Sequence, residues 1–469
     1  MLQVNSKENI RPFGFRDKLG YLFGDFGNDF TFLLSSSFLL KFYTDVMGVE
    51  AAVVGTVMMI ARFVDGFTDV AMGRICDKSK LTKNGKFKPW ILRMSGPVAI
   101  SSFLIYQSSL AVLPSWAKIA YLFVTYILWG SVFYTSVNIP YGSMASAVSE
   151  KPEDRQSLST YRTMGGMLAG AFVTAVVPIV VYDKIDGKEV MNGSRFTLVA
   201  GICSVLAIGC YILCYVLITE RVKSESVAAD NGNNHIFALF KSSLSNRPLI
   251  SIIAASIVML LSQLTMQQMI NYVYPNVYGN AAVQSVATLT MLGGMVFAAV
   301  ISKPVVNRFG KTEVSAVSNF FAGIVILALY FIRPANVWVY VALQTVAWLG
   351  LGVFSMVSWA LITDVIDYSE IKNGVREDGS VYALYSFARK LGQAAASGLS
   401  GALLSLIGYS ETTAFDADVV KGIFDISTLV PGVGLIILSL ILWFWYPLRK
   451  KQVEKNVETL RRKRQNGGR

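Results

Sequence analysis

The sequence predicts an all-α membrane protein of twelve transmembrane helices, and three observations carry that prediction. Hydrophobic residues make up 53% of the 469-residue chain and charged residues only 15%, far from the balance of a soluble domain. Apolar runs of about 20 residues follow one another along the chain, each long enough to cross a ~30 Å hydrocarbon core at 1.5 Å per residue. Lys and Arg gather in alternate connections, as cytoplasmic loops require.

The first 18 residues are polar and charged, without the apolar core and small-residue cleavage site of a signal peptide, so the first span is expected to direct insertion itself. That span, 19–43, carries Asp25 and Asp29. The second, 51–72, is apolar apart from its polar stripe of Arg62, Asp65 and Asp69. Residues three and four apart share a helix face, so these three lie along one side. A central Asp or Arg costs ~2.5–3.5 kcal/mol on insertion scales, which makes each a functional-site candidate. Two carboxylates one turn apart repel when both are ionised, and a proton or small cation between them relieves the repulsion. Two acids with one Arg on that face are therefore read as a cation-coupling site, with Na+ or H+ as the ion and Na+ held at Asp65 and Asp69 if sodium is used.

A basic loop, Gly73-Arg-Ile-Cys-Asp77-Lys followed by Gly85-Lys-Phe-Lys-Pro-Trp90, leads to spans 89–112 and 117–141, the latter holding Asn138 and three aromatic residues, Trp129, Tyr134 and Tyr141, which are candidates to stack on a pyranose face or to pack between helices. Spans 158–182, with Arg162, and 196–219 complete a first set of six. Residues 220–247, the longest inner connection, contain the single histidine, His235. A histidine proton relay through the membrane is thereby excluded, and protons must ride on carboxylates.

The second set begins with 248–274, where Gln263, Gln267 and Asn271 stand at i, i+4 and i+8 with Gln268 beside them. Amides both donate and accept, as sugar hydroxyls do, so this stripe suits glycoside recognition or, equally, hydrogen bonding between helices. Spans 281–302, 313–333, 335–362, 379–408 and 424–446 follow. The loop Asn307-Arg-Phe-Gly-Lys311 after span eight sits where the basic loop after span two does, which suggests a duplicated six-helix unit with substrate bound near the midplane. Asp77 in the first basic loop, with Asp364, Asp367 and Glu370 at the inner end of span ten, suit salt bridges that close the inner side, and Arg376 is a plausible partner. Arg62 has the same candidate gating role. Arg389 and Lys390 stand about ten residues into span eleven, too deep to snorkel. If Lys390 balances the carboxylates of the first two spans, Arg389 is left able to grip a carboxylate in bidentate fashion.

With both termini inside, the inner segments hold 30 of the 42 basic residues, including the tail Arg461-Arg-Lys-Arg464, and the outer connections hold six. The formal charge of +12 then reads as topology plus attraction to anionic membrane lipid, with no nucleic-acid role. The expected organisation is a cytoplasmic segment 1–18, a bundle 19–219, a linker 220–247, a bundle 248–446 and a basic cytoplasmic tail 447–469. Cys76, Cys203, Cys210 and Cys214 lack metal-ligand spacing and are expected to be packing residues. Neither a nucleophile with its base nor a structural metal cluster is visible, so no enzyme and no cofactor is expected.

Several motifs in order resemble the glycoside-pentoside-hexuronide:cation symporter family, the melibiose-permease-like branch of the major facilitator fold. They are Phe26-Gly-Asn-Asp-Phe30, Tyr43-Thr-Asp-Val46, Ala61-Arg-Phe-Val-Asp-Gly-Phe-Thr-Asp69, Gly85-Lys-Phe-Lys-Pro-Trp90, Asn138-Ile-Pro-Tyr-Gly-Ser143, Asp364-Val-Ile-Asp-Tyr368 and Arg389-Lys-Leu-Gly-Gln393, and they cover nearly the whole chain. The resemblance implies two pseudo-symmetric six-helix bundles with cytoplasmic termini in a plasma membrane, the inner one in bacteria. It implies a monomeric carrier that moves a sugar or glycoside with Na+ or H+ by alternating access. Asp65 and Asp69 match the family's cation carboxylates, and Asp29, Arg162 and Lys390 match its sugar site. Thr68 stands where melibiose carriers have Asn, offering a hydroxyl in place of an amide. Asn138 replaces an Asp and argues against a melibiose-like substrate. The motif at Arg389 is similar to that of glucuronide and hexuronide members, which favours such a substrate over a neutral pentoside or hexoside. A carrier of lysophospholipid-like amphiphiles and a non-transporting sugar sensor are the rival readings.

Overall fold

The computed structural model describes residues 11–222, 246–373 and 378–465. Fourteen α-helices lie among them. In chain order these are α1 (Phe15–Asp45), α2 (Ala51–Lys78), α3 (Lys88–Ile105), α4 (Ser115–Ile127), α5 (Thr135–Val148), α6 (Pro152–Val181), α7 (Gly193–Leu217), α8 (Arg247–Tyr272), α9 (Ala282–Phe309), α10 (Lys311–Ile332), α11 (Val337–Asn373), α12 (Asp378–Leu406), α13 (Ala417–Leu440) and α14 (Lys450–Gln465). A π-helical segment, Leu128–Tyr134, joins α4 to α5 in one continuous rod. Among the described residues, eight helices are long and apolar enough to cross a membrane. Helices α1 and α12 are not among the eight, because Asp25 and Asp29 in one and Arg389 and Lys390 in the other interrupt their apolar runs.

A long helix lies at each expected span, but several boundaries differ: α2, α9 and α11 run on to Lys78, Phe309 and Asn373 where 72, 302 and 362 were expected, α3 stops at Ile105 and not at 112, and α13 covers Ala417–Leu440 in place of 424–446. Two elements were not anticipated: a β-hairpin of β1 (Tyr182–Ile185) and β2 (Lys188–Met191) between α6 and α7, and helix α14 inside the basic tail.

Local chemistry explains the helix starts. Asp17 accepts the Gly14 N–H at 3.1 Å at the head of α1, while Asn192 and Asn246 accept from Arg195 and Leu249 at the heads of α7 and α8; each satisfies a donor the helix leaves open. Pro152 and Pro248 occupy first-turn positions, where a missing N–H costs nothing. At α3 the cap comes from afar: Glu220 accepts the N–H groups of Lys86, Phe87 and Lys88 at 2.7, 2.9 and 2.7 Å.

The chain divides into two compact units. Unit one takes the chain up to Val49, Val64–Asp183 and the segment from Met191 into the linker; unit two takes Glu50–Phe63, Lys184–Val190 and the remainder. The division is therefore not a single cut at the linker, since the start of α2 and the hairpin tip belong to unit two. Within unit one, α1 packs on α6 and α7, and α3 packs on α7 and on the α4–α5 rod. Within unit two, α8 packs on α12 and α13, and α10 packs on α13 and α11. The two units thus repeat one scheme of helix neighbours.

Close approach inside unit one depends on small residues, as it commonly does between membrane helices. Gly165 lies against the Leu22 carbonyl of α1, and a Cβ on Gly166 would lie 2.6 Å from Asp29 Oδ2 and 3.0 Å from Asp25 Oδ2. Helix α6 can carry no side chain there without displacing the two acids of α1.

Candidate functional site

On α2, Asp65 and Asp69 are both half-buried. The Ser131 hydroxyl donates to Asp65 Oδ1 at 2.5 Å, and the Thr135 hydroxyl donates to Asp69 Oδ1 at 2.8 Å. Two hydroxyls four residues apart meet two carboxylates four residues apart, so the helix rods are in register over one turn. Ser131 lies in the π-helical segment and Thr135 at the first position after it, a kind of local unwinding often found at functional sites. Thr68 hydrogen-bonds within its own helix, its hydroxyl donating to the Asp65 carbonyl at 3.3 Å. Arg62 is half-buried and falls in the part of α2 that belongs to unit two. The Ser131 and Thr135 contacts went unread in the sequence, although their i, i+4 spacing in an apolar helix was a usable signal. Every donor this group offers is a hard oxygen, the type suited to a proton or an alkali cation and not to a soft metal. Among the described residues no three His, Cys, Asp or Glu side chains converge as a metal site.

On α1 the second acid pair has different company. Arg162 of α6 donates through Nε to Asp25 Oδ1 at 3.0 Å and through Nη2 to Asn138 Oδ1 at 3.5 Å. Its guanidinium stands 5.1 Å from the centre of the Tyr141 ring, within cation–π range. Asp29 sits one turn further along α1 and meets Gly166 of α6 together with Asp25. Asp29, Asn138 and Arg162 thus come together. Tyr141 is placed differently from a sugar-stacking residue. It is 1% exposed, stacks on Tyr21 at 4.6 Å, donates its hydroxyl to the Tyr21 carbonyl at 2.5 Å and accepts the Tyr21 hydroxyl on its own carbonyl at 3.0 Å. It supports Arg162 from beneath. Trp129 is likewise buried, against Tyr126 and Tyr134.

In unit two, Arg389 of α12 lies 5.5 Å from the Trp359 ring and 5.8 Å from the Tyr385 ring. Lys390 and Gln267 are half-buried and engaged in contacts. The amide stripe of α8 turns partly into the core: Asn271 accepts from Gln284 of α9 at 2.7 Å and donates to the Gln268 carbonyl. For Asn271 the helix-to-helix reading therefore holds.

Of the expected gating residues, Asp364 is buried and pairs with Lys311 at 2.6 Å, so its partner comes from the basic turn at Gly310. The partner considered in the sequence, Arg376, lies outside the described residues, as does His235. Asp367 and Glu370 are half-buried on the same helix, each with contacts of its own. Asp77 is exposed; its carbonyl, not its carboxylate, accepts Lys86 Nζ at 2.9 Å, which corrects the expected salt bridge. The four cysteines are free and buried.

The MFS/sugar transport protein model matches residues 20–450. The "Uncharacterized symporter YjmB" of Bacillus subtilis (strain 168) is 30% identical over 462 residues, covering 98% of each chain. The "Glucuronide carrier protein homolog" of Escherichia coli (strain K12) is 30% identical over 446 residues, covering 94% of each. Among solved structures, the D-xylose-proton symporter superposes with a TM-score of 0.62 at 14% identity, over 92% of this chain and 97% of that one.

Proposed function

We propose, from the premise that this chain belongs to the MFS/sugar transport protein family, that it carries a sugar or glycoside across the membrane together with a cation, H+ or Na+. The chain is a transporter and not an enzyme, a multi-pass membrane protein of the kind found in the bacterial inner membrane. Twelve spans, cytoplasmic termini and alternating access are the finer parts of the reading. The relative named for glucuronide carriage supports a sugar-derived cargo.

The contact of Ser131 and Thr135 with Asp65 and Asp69 carries the coupling role. A hydroxyl donates to a carboxylate and, after rotating, accepts from a carboxylic acid. Such partners serve the acids both before and after a proton or cation arrives, without a charge of their own to be rearranged. Cation binding relieves the repulsion between the two acids. In the substrate role, Asp29, Asn138 and Arg162 offer donors and acceptors within unit one; within unit two, Gln267, Arg389 and Lys390 are the residues proposed for the same role. Coupling requires each ligand to raise the other's affinity by the same factor. One positive charge moving inward gains ~2.3 kcal/mol per 100 mV, which sustains roughly fortyfold accumulation.

Uptake of labelled glycosides into proteoliposomes, with and without a Na+ gradient and with a protonophore, tests the reading. Accumulation that responds to one of the two ions is expected. Binding of sugar without accumulation under either gradient would identify a sensor instead.

A further inference from the structure

Residues 220–222, at the root of the linker, tie together the ends of the two rods that meet at Asp65 and Asp69. Glu220 accepts the N–H groups of Lys86, Phe87 and Lys88, and that turn is tied in turn to the end of α2: Lys86 Nζ donates to the Asp77 carbonyl at 2.9 Å and Trp90 Nε1 to Ser79 Oγ at 3.2 Å. On the other side, the backbone N–H groups of Arg221 and Val222 donate to the Ala147 carbonyl in the last turn of α5 at 2.7 and 2.9 Å, and Arg221 Nη1 donates to the Val148 carbonyl at 3.3 Å. Arg221 is itself fixed, its Nη2 lying 2.8 Å from the buried carboxylate of Asp17. All of these residues belong to unit one.

The α2–α3 turn is shaped to receive the Glu220 carboxylate. Gly85 has φ +106°, and a Cβ there would collide with that carboxylate, so both backbone and space require glycine. From Val64 onward α2 leaves Phe67, Val70 and Ile75 exposed, while hydrogen bonds tie it at Asp65 and Asp69 to the α4–α5 rod and at Asp77 to the turn. Two rods joined at one end by a common segment resist sliding past each other. A slide of one residue's rise, ~1.5 Å, is enough to take a hydroxyl and its carboxylate to the edge of hydrogen-bonding range.

We infer that Glu220, together with the Arg221 backbone, positions the cation-coupling site: it sets the height of α2 against the α4–α5 rod and so holds Asp65 and Asp69 opposite Ser131 and Thr135. The inference rests on the coupling reading of those two acids.

The test is carbodiimide labelling of Asp65 and Asp69 in the purified full-length protein, read by peptide mass spectrometry, with no sugar and no ion gradient. Dicyclohexylcarbodiimide modifies a protonated carboxyl in an apolar setting, so bound Na+ or a fall in H+ concentration suppresses the reaction. Wild-type labelling responds to one of the two ions. Glu220→Ala changes the ion concentration at half-effect about fivefold, as the loss of about one hydroxyl bond does. Lys86→Met keeps the buried stem and removes the Nζ bond to α2, and it moves the half-effect the same way by about threefold. In a Ser131→Ala/Thr135→Val background no register is left to hold, and the shift from either substitution falls below about twofold. Where Glu220→Ala melts below the wild type, Lys86→Met decides. The inference is overturned if a variant with the wild-type melting temperature leaves the half-effect unchanged, or if its shift is as large in the hydroxyl-free background. Wild-type labelling that ignores both ions overturns the coupling reading itself, and this role with it.

Discussion

Helices α1 and α2 each carry two aspartates one turn apart, and their neighbours serve the two pairs in different ways. Asp25 on α1 is held by the Arg162 guanidinium at 3.0 Å. Asp65 and Asp69 on α2 receive the hydroxyls of Ser131 and Thr135. A guanidinium stays charged and only donates, so its hydrogen bond can only go to an acceptor oxygen of the acid. Hydroxyls adapt to either protonation state. The same i, i+4 acid motif therefore has two kinds of company, an ion pair on α1 and hydroxyls on α2, and the proposed function gives the first the substrate role and the second the cation role.

The sharpest way to break this comparison is to neutralise one acid of each pair. Asp69→Asn should reduce accumulation from roughly fortyfold at 100 mV to none, with sugar counterflow preserved. Asp25→Asn should keep coupled accumulation and raise KM by about tenfold, since Arg162 loses its charged partner. If the two variants exchange phenotypes, the assignment of the pairs is reversed.

Gly166→Ala acts on the α1 pair alone, placing a methyl 2.6 Å from Asp29 Oδ2. A KM increase of about tenfold is expected, with unchanged half-saturation for the cation; a shift in the cation curve would show that the pairs are not separate. Thr135→Val removes one hydroxyl from the α2 pair at nearly constant volume. The cation concentration for half-maximal uptake should rise about fivefold, equivalent to about 1 kcal/mol, and Thr135→Ser should restore it. The smallest effect belongs to Tyr141→Phe, which keeps the ring beneath Arg162 and deletes only the bond to the Tyr21 carbonyl. Less than about a twofold change in KM is expected, and a larger one would make Tyr141 a substrate contact after all.

The basic loops show how far sequence reading reaches. In the sequence Lys86 and Lys88 read only as part of the basic charge expected of an inner loop, and nothing local says more. In the fold each also closes a helix end: Lys86 Nζ donates to the Asp77 carbonyl at 2.9 Å and Lys88 Nζ to the Ile218 carbonyl at 2.6 Å, where cations favour the negative end of the dipole. Glu220, at the root of the linker, caps α3 from more than 130 residues away. The Gly85-Lys-Phe-Lys-Pro-Trp90 motif is thus a junction between α2, α3 and the end of α7. Tyr141 misled in the other direction. An aromatic residue in a polar stretch of helix resembles a sugar platform until packing shows its ring covered by Tyr21.

The sequence by itself determined the all-helical membrane character of the chain, the clustering of basic residues in its loops, and the two acid pairs with their spacing. Those features depend on hydropathy and on the 3.6-residue period of a helix, which are local. Tertiary structure alone decided the partners: hydroxyls for Asp65 and Asp69, a guanidinium for Asp25, Lys311 for Asp364, and aromatic rings for Arg389. Which side chain faces which depends on the register and rotation of one packed helix against another, here adjusted by a π-helical turn and a glycine contact, and that register is fixed by the sum of side-chain contacts across each helix interface, which no single segment encodes.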